Sequence, residues 1–351
     1  MRSPSLEQDM KMITDENLPW ANFSNKTILI SGANGCLPAY MIETFLYLND
    51  IHGLNSKIIG LVRSKERAFN RFKHYANRSD LQLIEQDVSQ PFTMNEKVHF
   101  IIHAASQASP KYYGSDPVGT LSANVFGTYH LLEIAKAHQV DAFFYFSSGE
   151  VYGEVTEAQI PTKEHMYGYV DPLNVRSCYA ESKRMGENMI VSYAHQFGVP
   201  VKIARPFHVY GPGLKSDDGR VFSDFVTDII HNRDIVMLGD GLAVRTFCYL
   251  ADAAVGFFTV LLKGKNAEAY NIGNPDCAAS IIDLATRLTI HFKEKNLKVV
   301  RYTRENQPNY MVSKISVNYP DINKAKELGW RPRISIEEGF SRTVAGFYEF
   351  I

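Results

Sequence analysis

The sequence predicts an α/β fold: a doubly wound parallel sheet with a smaller second lobe after it. Two observations carry this. Near-continuous apolar runs of strand length alternate with helical stretches from Lys26 to Pro206, the pattern of strands buried on both faces. A glycine-bearing turn, "ISGANGCLPAY" (30–40), joins the first apolar run to the first helical stretch, and ligands on such sheets bind beyond the carboxyl ends of the strands. A chain of 351 residues, 45% of them hydrophobic, has material for a large core and for more than one lobe.

Taken in order, the strands are expected at "TILISG" (27–32), "SKIIGLV" (56–62), "LQLIEQD" (81–87), "VHFIIHAA" (98–105), "DAFFYFSS" (141–148) and "VPVKIARP" (199–206). Helices are expected at "AYMIETFLYLN", "NVFGTYHLLEIAKAH" and "SCYAESKRMGENMIVSYAHQFG". After Pro206 the alternation loosens, and proline and glycine punctuate "HVYGPGLKSDDGR". The expected division is an N-terminal arm (1–24), a first lobe (25–206 and 247–263) and a second lobe (207–246 and 264–351). The return to the first lobe is read from "TFCYLADAAVGFFTVLL" (246–262).

A net charge of −1 creates no field directed at nucleic acid or an anionic membrane, so neither is an expected partner. Cys36, Cys178, Cys248 and Cys277 form no CxxC pair, which predicts reduced thiols and no metal site. The first twenty residues carry acidic side chains and no continuous apolar core, so neither a signal peptide nor an anchor is expected. The expectation is a soluble, cytoplasmic protein.

Gly32 and Gly35 stand where backbone N–H groups approach a pyrophosphate at a helix N-terminus, flanked by Asn34, Cys36 and Leu37. A proline, Pro38, occupies the place of a third glycine, and fits the first helical turn, where a missing N–H costs little. The second strand ends in Val62 and Arg63 rather than in an acidic residue that would bind ribose hydroxyls. Arg63 favours a 2′-phosphate, hence NADP, with NAD left open.

Tyr179 and Lys183 in "CYAESKR" are spaced i, i+4 and share one helix face. An ammonium beside a phenol is expected to lower its pKa from about 10, so that tyrosine serves as a general base. Ser148 ends a strand, where its hydroxyl can bond the same substrate oxygen.

With "SGANG", "HAAS" (103–106), "NVFGT" (124–128), "SSGEVYG", YxxxK, "ARPFHVYGPG" (204–213) and "YNIGNP" (270–275), the chain from about Lys26 to the C-terminus resembles the extended short-chain dehydrogenases/reductases of the nucleotide-sugar epimerase/dehydratase group. The resemblance implies a Rossmann lobe holding NAD(P), a C-terminal lobe gripping a nucleoside-diphosphate sugar, and a homodimer built on two helices per subunit. It implies that Tyr179 takes the sugar 4-hydroxyl proton with help from Ser148, and that Lys183 contacts the nicotinamide ribose. Asp87 is placed near the adenine, and Val88, Ala104, Ala105 and Asn124 join the cofactor set.

Within that group a 4,6-dehydratase has an Asp-Glu pair after its Ser/Thr, where this chain has Gly149–Glu150. "ASPKYY" (108–113), "YGYVDPLNVRSCY" (167–179), "DDGRVFSDF" (217–225) and "VRTFCYLAD" (244–252) are most similar to UDP-glucuronate decarboxylases. That resemblance implies Glu150 assisting at the sugar, Arg245 placing the sugar or its diphosphate, and Arg220 at the nucleotide. Ser109, Tyr112, Arg176 and His208 join the substrate set. 4-Epimerisation and 4,6-dehydration are the alternatives, and a non-catalytic NAD(P)-binding protein of the same fold is the remote one. Pro38, Val62–Arg63 and His208 (asparagine in the subgroup) depart from the pattern and imply an altered cofactor or sugar contact.

Overall fold

The computed structural model describes residues 2–216, 218–302 and 315–347. Among these the strands are β1 (Thr27–Ser31), β2 (Lys57–Val62), β3 (Leu81–Glu85), β4 (Phe100–His103), β5 (Ala142–Phe146), β6 (Val201–Pro206), β7 (Val209–Tyr210), β8 (Ile235–Leu238), β9 (Val244–Thr246), β10 (Cys248–Tyr249), β11 (Glu268–Ile272), β12 (Ala278–Ser280), β13 (Val299–Tyr302) and β14 (Val317–Asn318). The helices are α1 (Pro4–Thr14), α2 (Cys36–His52), α3 (Lys65–Phe72), α4 (Lys111–Ser115), α5 (Pro117–His138), α6 (Cys178–Phe197), α7 (Val221–Ile230), α8 (Leu250–Lys263), α9 (Ile281–His291), α10 (Asn323–Glu327) and α11 (Ile336–Phe347).

Seven parallel strands form one sheet in the order β11-β6-β5-β4-β1-β2-β3. The order reverses between β1 and β4, which opens a crevice at their carboxyl ends. The pleat sends alternate side chains to opposite faces. Ile28, Ile30, Phe100, Ile102, Phe144 and Phe146 join the core under α2 and α8, while Leu29, Ile101, Phe143 and Tyr145 join the core with Leu131 of α5 and Ile190 of α6. Strand β11 pairs with β6, so the chain's return to the sheet reaches Ile272, beyond the expected stretch at 247–263.

The second lobe is assembled from short pieces: β7 with β10, the three-stranded β12-β9-β14, and β13 with β8. Helix α1 is capped by Ser3, whose hydroxyl accepts from the Leu6 N–H. Leu6, Met10 and Ile13, one helical face, are buried. On the same helix Asp9 is fully buried. One of its oxygens accepts from the Tyr40 hydroxyl at 2.5 Å and from the Tyr249 hydroxyl at 2.6 Å, and the other accepts from Arg342 at 2.6 Å. The arm thereby fastens α2 of the first lobe to β10 and α11. Among the described residues no helix is long and apolar enough to cross a membrane, and the four cysteines are free.

Candidate active site

A cavity of about 500 Å³ opens at the carboxyl ends of the first-lobe strands. Of the residues expected to hold a cofactor, Gly32, Asn34, Gly35, Cys36, Arg63, Asp87, Val88, Ala104 and Ala105 line it, as do Ser109, Tyr112 and Arg220 of the substrate set. Leu37 instead packs against the hydrophobic core. Asn124 is fully buried on α5, its amide donating to Ser182 Oγ at 2.9 Å.

The glycine turn is required by space as well as by φ. Gly32 sits at φ +66°, and a Cβ there would lie 2.7 Å from the Ala105 Cα, so β1 and the segment after β4 touch through bare backbone. The Ser31 hydroxyl ties them further by accepting from the Ala104 and Ala105 N–H groups, each at 3.1 Å. Gly35 caps α2, and Pro38 falls in the first turn, where N–H groups have no intrahelical acceptor. The expectation for Pro38 holds.

Ser148 follows β5 and accepts from the Glu150 N–H at 3.2 Å. Tyr179 and Lys183 lie one turn apart on α6, both buried. The Tyr113 ring stacks on Tyr179 with centroids 5.1 Å apart and planes at 16°. The expected drop in the Tyr179 pKa is not what this environment produces. Burial pushes the phenol up to about 12, against the pull of the Ser148 hydrogen bond and the charge of Arg220. Lys183 does not aim its charge at the phenol oxygen alone: Nζ donates to the Phe146 carbonyl at 2.7 Å, and burial brings its own pKa down to about 7. Desolvation wins because both groups share one dry pocket.

The remaining substrate candidates fall into two groups. Glu150 pairs with Arg176 at 3.3 Å, and the Arg176 guanidinium lies 5.9 Å from the Tyr113 ring centre, so these two flank the tyrosine pair. Arg220 is paired with Asp218, and the Ser109 hydroxyl donates to the Asp218 carbonyl, bringing the second lobe's loop onto the first lobe. Arg245 is turned towards β14, donating to the carbonyls of Ile315 (2.8 Å) and Ser316 (3.1 Å). His208 holds φ +38°, a left-handed conformation uncommon outside glycine and asparagine. Its buried Nδ1 has no hydrogen-bond partner among the described residues. Burial, with Arg245 and Arg220 reinforcing it, holds this imidazole neutral. At Gly149 a Cβ would lie 2.8 Å from the Phe207 ring, so no acidic side chain fits beside Glu150 unless that ring moves.

Comparison with known proteins decides the family. The profile of the "NAD dependent epimerase/dehydratase family" matches residues 28–273. The chain belongs to that family. It is 33% identical to UDP-glucuronic acid decarboxylase 6 of Arabidopsis thaliana over 321 residues, 90% of this chain and 87% of that protein. It is 32% identical to UDP-glucuronic acid decarboxylase 1 of Xenopus tropicalis over 325 residues, 92% of this chain and 72% of that protein. Its fold is shared with UDP-glucuronic acid 4-epimerase from Bacillus cereus, solved with UDP-glucuronic acid and NAD (TM-score 0.76, 22% identity, 93% of this chain and 100% of that chain). It is shared equally with dTDP-glucose 4,6-dehydratase from Bacillus anthracis, solved with NAD (TM-score 0.74, 20% identity, 92% and 97%).

The family's dinucleotide fits what is found here. Gly32 and Gly35 line the cavity at the start of α2 with no side chain of their own, as close approach of a pyrophosphate to a helix N-terminus requires. Four contributors escaped the sequence reading. Tyr113 of the short helix α4 stacks on Tyr179. Phe207 closes the space at Gly149. Arg67 and Arg71 line the cavity from α3, and Arg71 Nη1 donates to the Gly213 carbonyl of the second lobe at 3.0 Å. The four-residue spacing of Arg63, Arg67 and Arg71 was a legible signal for the last two.

Proposed function

We propose that this epimerase/dehydratase-family chain acts on a nucleoside-diphosphate sugar carrying a carboxylate at C5, oxidising C4 and releasing the carboxylate as CO2. The observation that carries this reading is Gly149, which offers no proton donor beside Glu150 and where a Cβ would lie 2.8 Å from the Phe207 ring. Relatives above 30% identity over most of the chain, all named UDP-glucuronic acid decarboxylases, support it. Bound NAD(P) supplies the hydride acceptor and donor at C4. Tyr179 takes the 4-hydroxyl proton, and Ser148 holds the same oxygen. With C4 a ketone, the carboxylate is β to it, and the electron pair of the broken C–C bond is taken up by the ketone as an enolate. The enolate takes a proton from water at C5, and C4 then regains its hydride and, from Tyr179, its proton. Glu150, held by Arg176, and His208, neutral and with an open Nδ1, face the sugar. Arg220, in the cavity lining, contacts the nucleotide, and Arg245 helps place the sugar or its diphosphate once turned from the Ile315 and Ser316 carbonyls.

The test is incubation with a panel of nucleotide sugars, reading product mass. Loss of CO2 is expected from a uronate substrate. Loss of water would overturn the reading in favour of dehydration, and an unchanged mass with inverted C4 in favour of epimerisation.

Two finer features belong to the same proposal. The cofactor is NADP, its 2′-phosphate received by Arg63 and Arg67, because β2 ends without a carboxylate to bind ribose hydroxyls. The protein is a homodimer through α5 and α6, whose outer faces expose Val118, Phe126, Tyr129 and Met185, an apolar surface larger than scattered residues account for. Light scattering at micromolar concentration checks this, with Phe126→Asp expected to give monomers.

A further inference from the structure

We infer that Tyr145 is a positioning residue for Lys183: its ring face supports the ammonium and keeps it charged beside Tyr179. The inference rests on the catalytic reading of Lys183 given above. Strand β5 sends Tyr145 to the α5/α6 side of the sheet, where it is fully buried. Lys183 Nζ stands 4.8 Å from the centre of the Tyr145 ring and 5.8 Å from that of Tyr179. With the Phe146 carbonyl at 2.7 Å, the ammonium is held by one carbonyl and one aromatic face, both from β5. An aromatic quadrupole attracts a cation most where water is excluded.

The fit is built from both sides. Gly186, one turn along α6 from Lys183, admits the phenol: a Cβ at 186 would lie 2.2 Å from the Tyr145 oxygen. The hydroxyl itself lies near Thr128 but meets no described residue with hydrogen-bond geometry, so the ring, not the hydroxyl, is the part in use. Other groups facing this pocket are accounted for. Glu187 on α6 favours the ammonium, but its carboxylate is shared with Arg205 of β6 at 2.6 Å. His103 of β4, its ring centre 5.5 Å from that of Tyr145, is held neutral by burial and by Lys183. Ser147 is spent on Glu187, and Asn124 and Ser182 on each other. Besides the Phe146 carbonyl, the Tyr145 ring is therefore the nearest support of the charge, closer than the Tyr179 ring and not shared with Arg205 as Glu187 is.

The test is a pH titration of Lys183 in the full chain labelled with [ε-13C]lysine, its signal assigned by loss in Lys183→Arg. The wild-type midpoint is expected near the value of about 7 that burial sets. Tyr145→Phe, which keeps the ring, leaves the midpoint in place. Tyr145→Leu lowers it by about half to one pH unit, and the alkaline limb of kcat/KM moves down with it. Tyr145→Met serves as a second ring-free variant should the leucine protein not fold. A folded ring-free variant with an unmoved midpoint overturns the inference, and so does a Phe variant that shifts as far as Leu. The titration needs no substrate, so its failure is distinct from failure of the proposed reaction.

Discussion

Two buried polar clusters lie on either side of the first lobe, one around Asp9 and one around Tyr179, and they are closed to different degrees. At Asp9 both carboxylate oxygens are matched, by two phenols and a guanidinium. Burial pushes this carboxyl up while those three partners pull it back. On the side of Tyr179, Asn124 Oδ1 and the Tyr145 hydroxyl are buried without hydrogen-bond partners among the described residues, as is His208 Nδ1 beside Phe247. A polar group left open in a dry interior costs stability. The first cluster spends its polarity on joining the arm to both lobes; the second leaves polar atoms unmatched. Closure therefore separates these two clusters, though Asp9 and Tyr179 are both buried.

The largest expected effect breaks the open cluster alone. Tyr179→Phe lowers turnover by about 10²–10⁴-fold with an unchanged melting temperature, read by product formation and circular dichroism on the same sample. Activity near wild type would remove Tyr179 as the base. The converse variant, Asp9→Ala, destabilises by about 3–5 kcal/mol because Arg342 and two phenols lose their acceptor. Urea melts check this, and kcat/KM of the folded fraction stays within about twofold of wild type, since loss of folded protein lowers yield rather than turnover.

Lys183→Met sharpens the contrast through pH. Burial places the folded pKa near 7, below the value of 10.5 it departs from. Between these values the unfolded chain binds the extra proton, so stability rises with pH across that window. The penalty is complete below pH 7 and gone by pH 10.5. Thermal melts should show the methionine variant more stable than wild type at pH 7, with the gap narrowing towards pH 10. Arg63→Asp gives the smallest effect, shifting the ratio of NADP to NAD affinity by about tenfold, roughly 1.4 kcal/mol. An unchanged ratio in fluorescence titrations removes Arg63 from cofactor choice.

The comparison also marks where sequence reasoning stops. Strand positions were legible because buried parallel strands read as apolar runs, and the Tyr179–Lys183 pair because four residues make one helical turn. The Asp9 cluster was not, since its partners lie 31, 240 and 333 residues away and no local pattern announces them. The direction of the Tyr179 shift was misread for a related reason: spacing shows which groups are near, whereas burial, to which the stacked Tyr113 ring contributes, comes from tertiary packing. Strand β11 was missed as the sheet's edge because it follows the helix thought to complete the return and its run, Glu268–Ile272, is not continuously apolar. Arg245 was legible as a cation, but not as one turned towards the carbonyls of Ile315 and Ser316, just before β14.

The hydrogen bond from Arg71 to the Gly213 carbonyl spans the cavity from α3 to the loop after β7. In the proposed reaction the hydride taken from C4 goes back to the sugar within the same cycle, so the dinucleotide ends each turnover as it began and has no need to leave. A strut across its cleft then costs the catalytic rate nothing, and long residence of the dinucleotide becomes an advantage. In a dehydrogenase that swaps its nicotinamide every cycle, the same strut would be a gate to be reopened at each turnover.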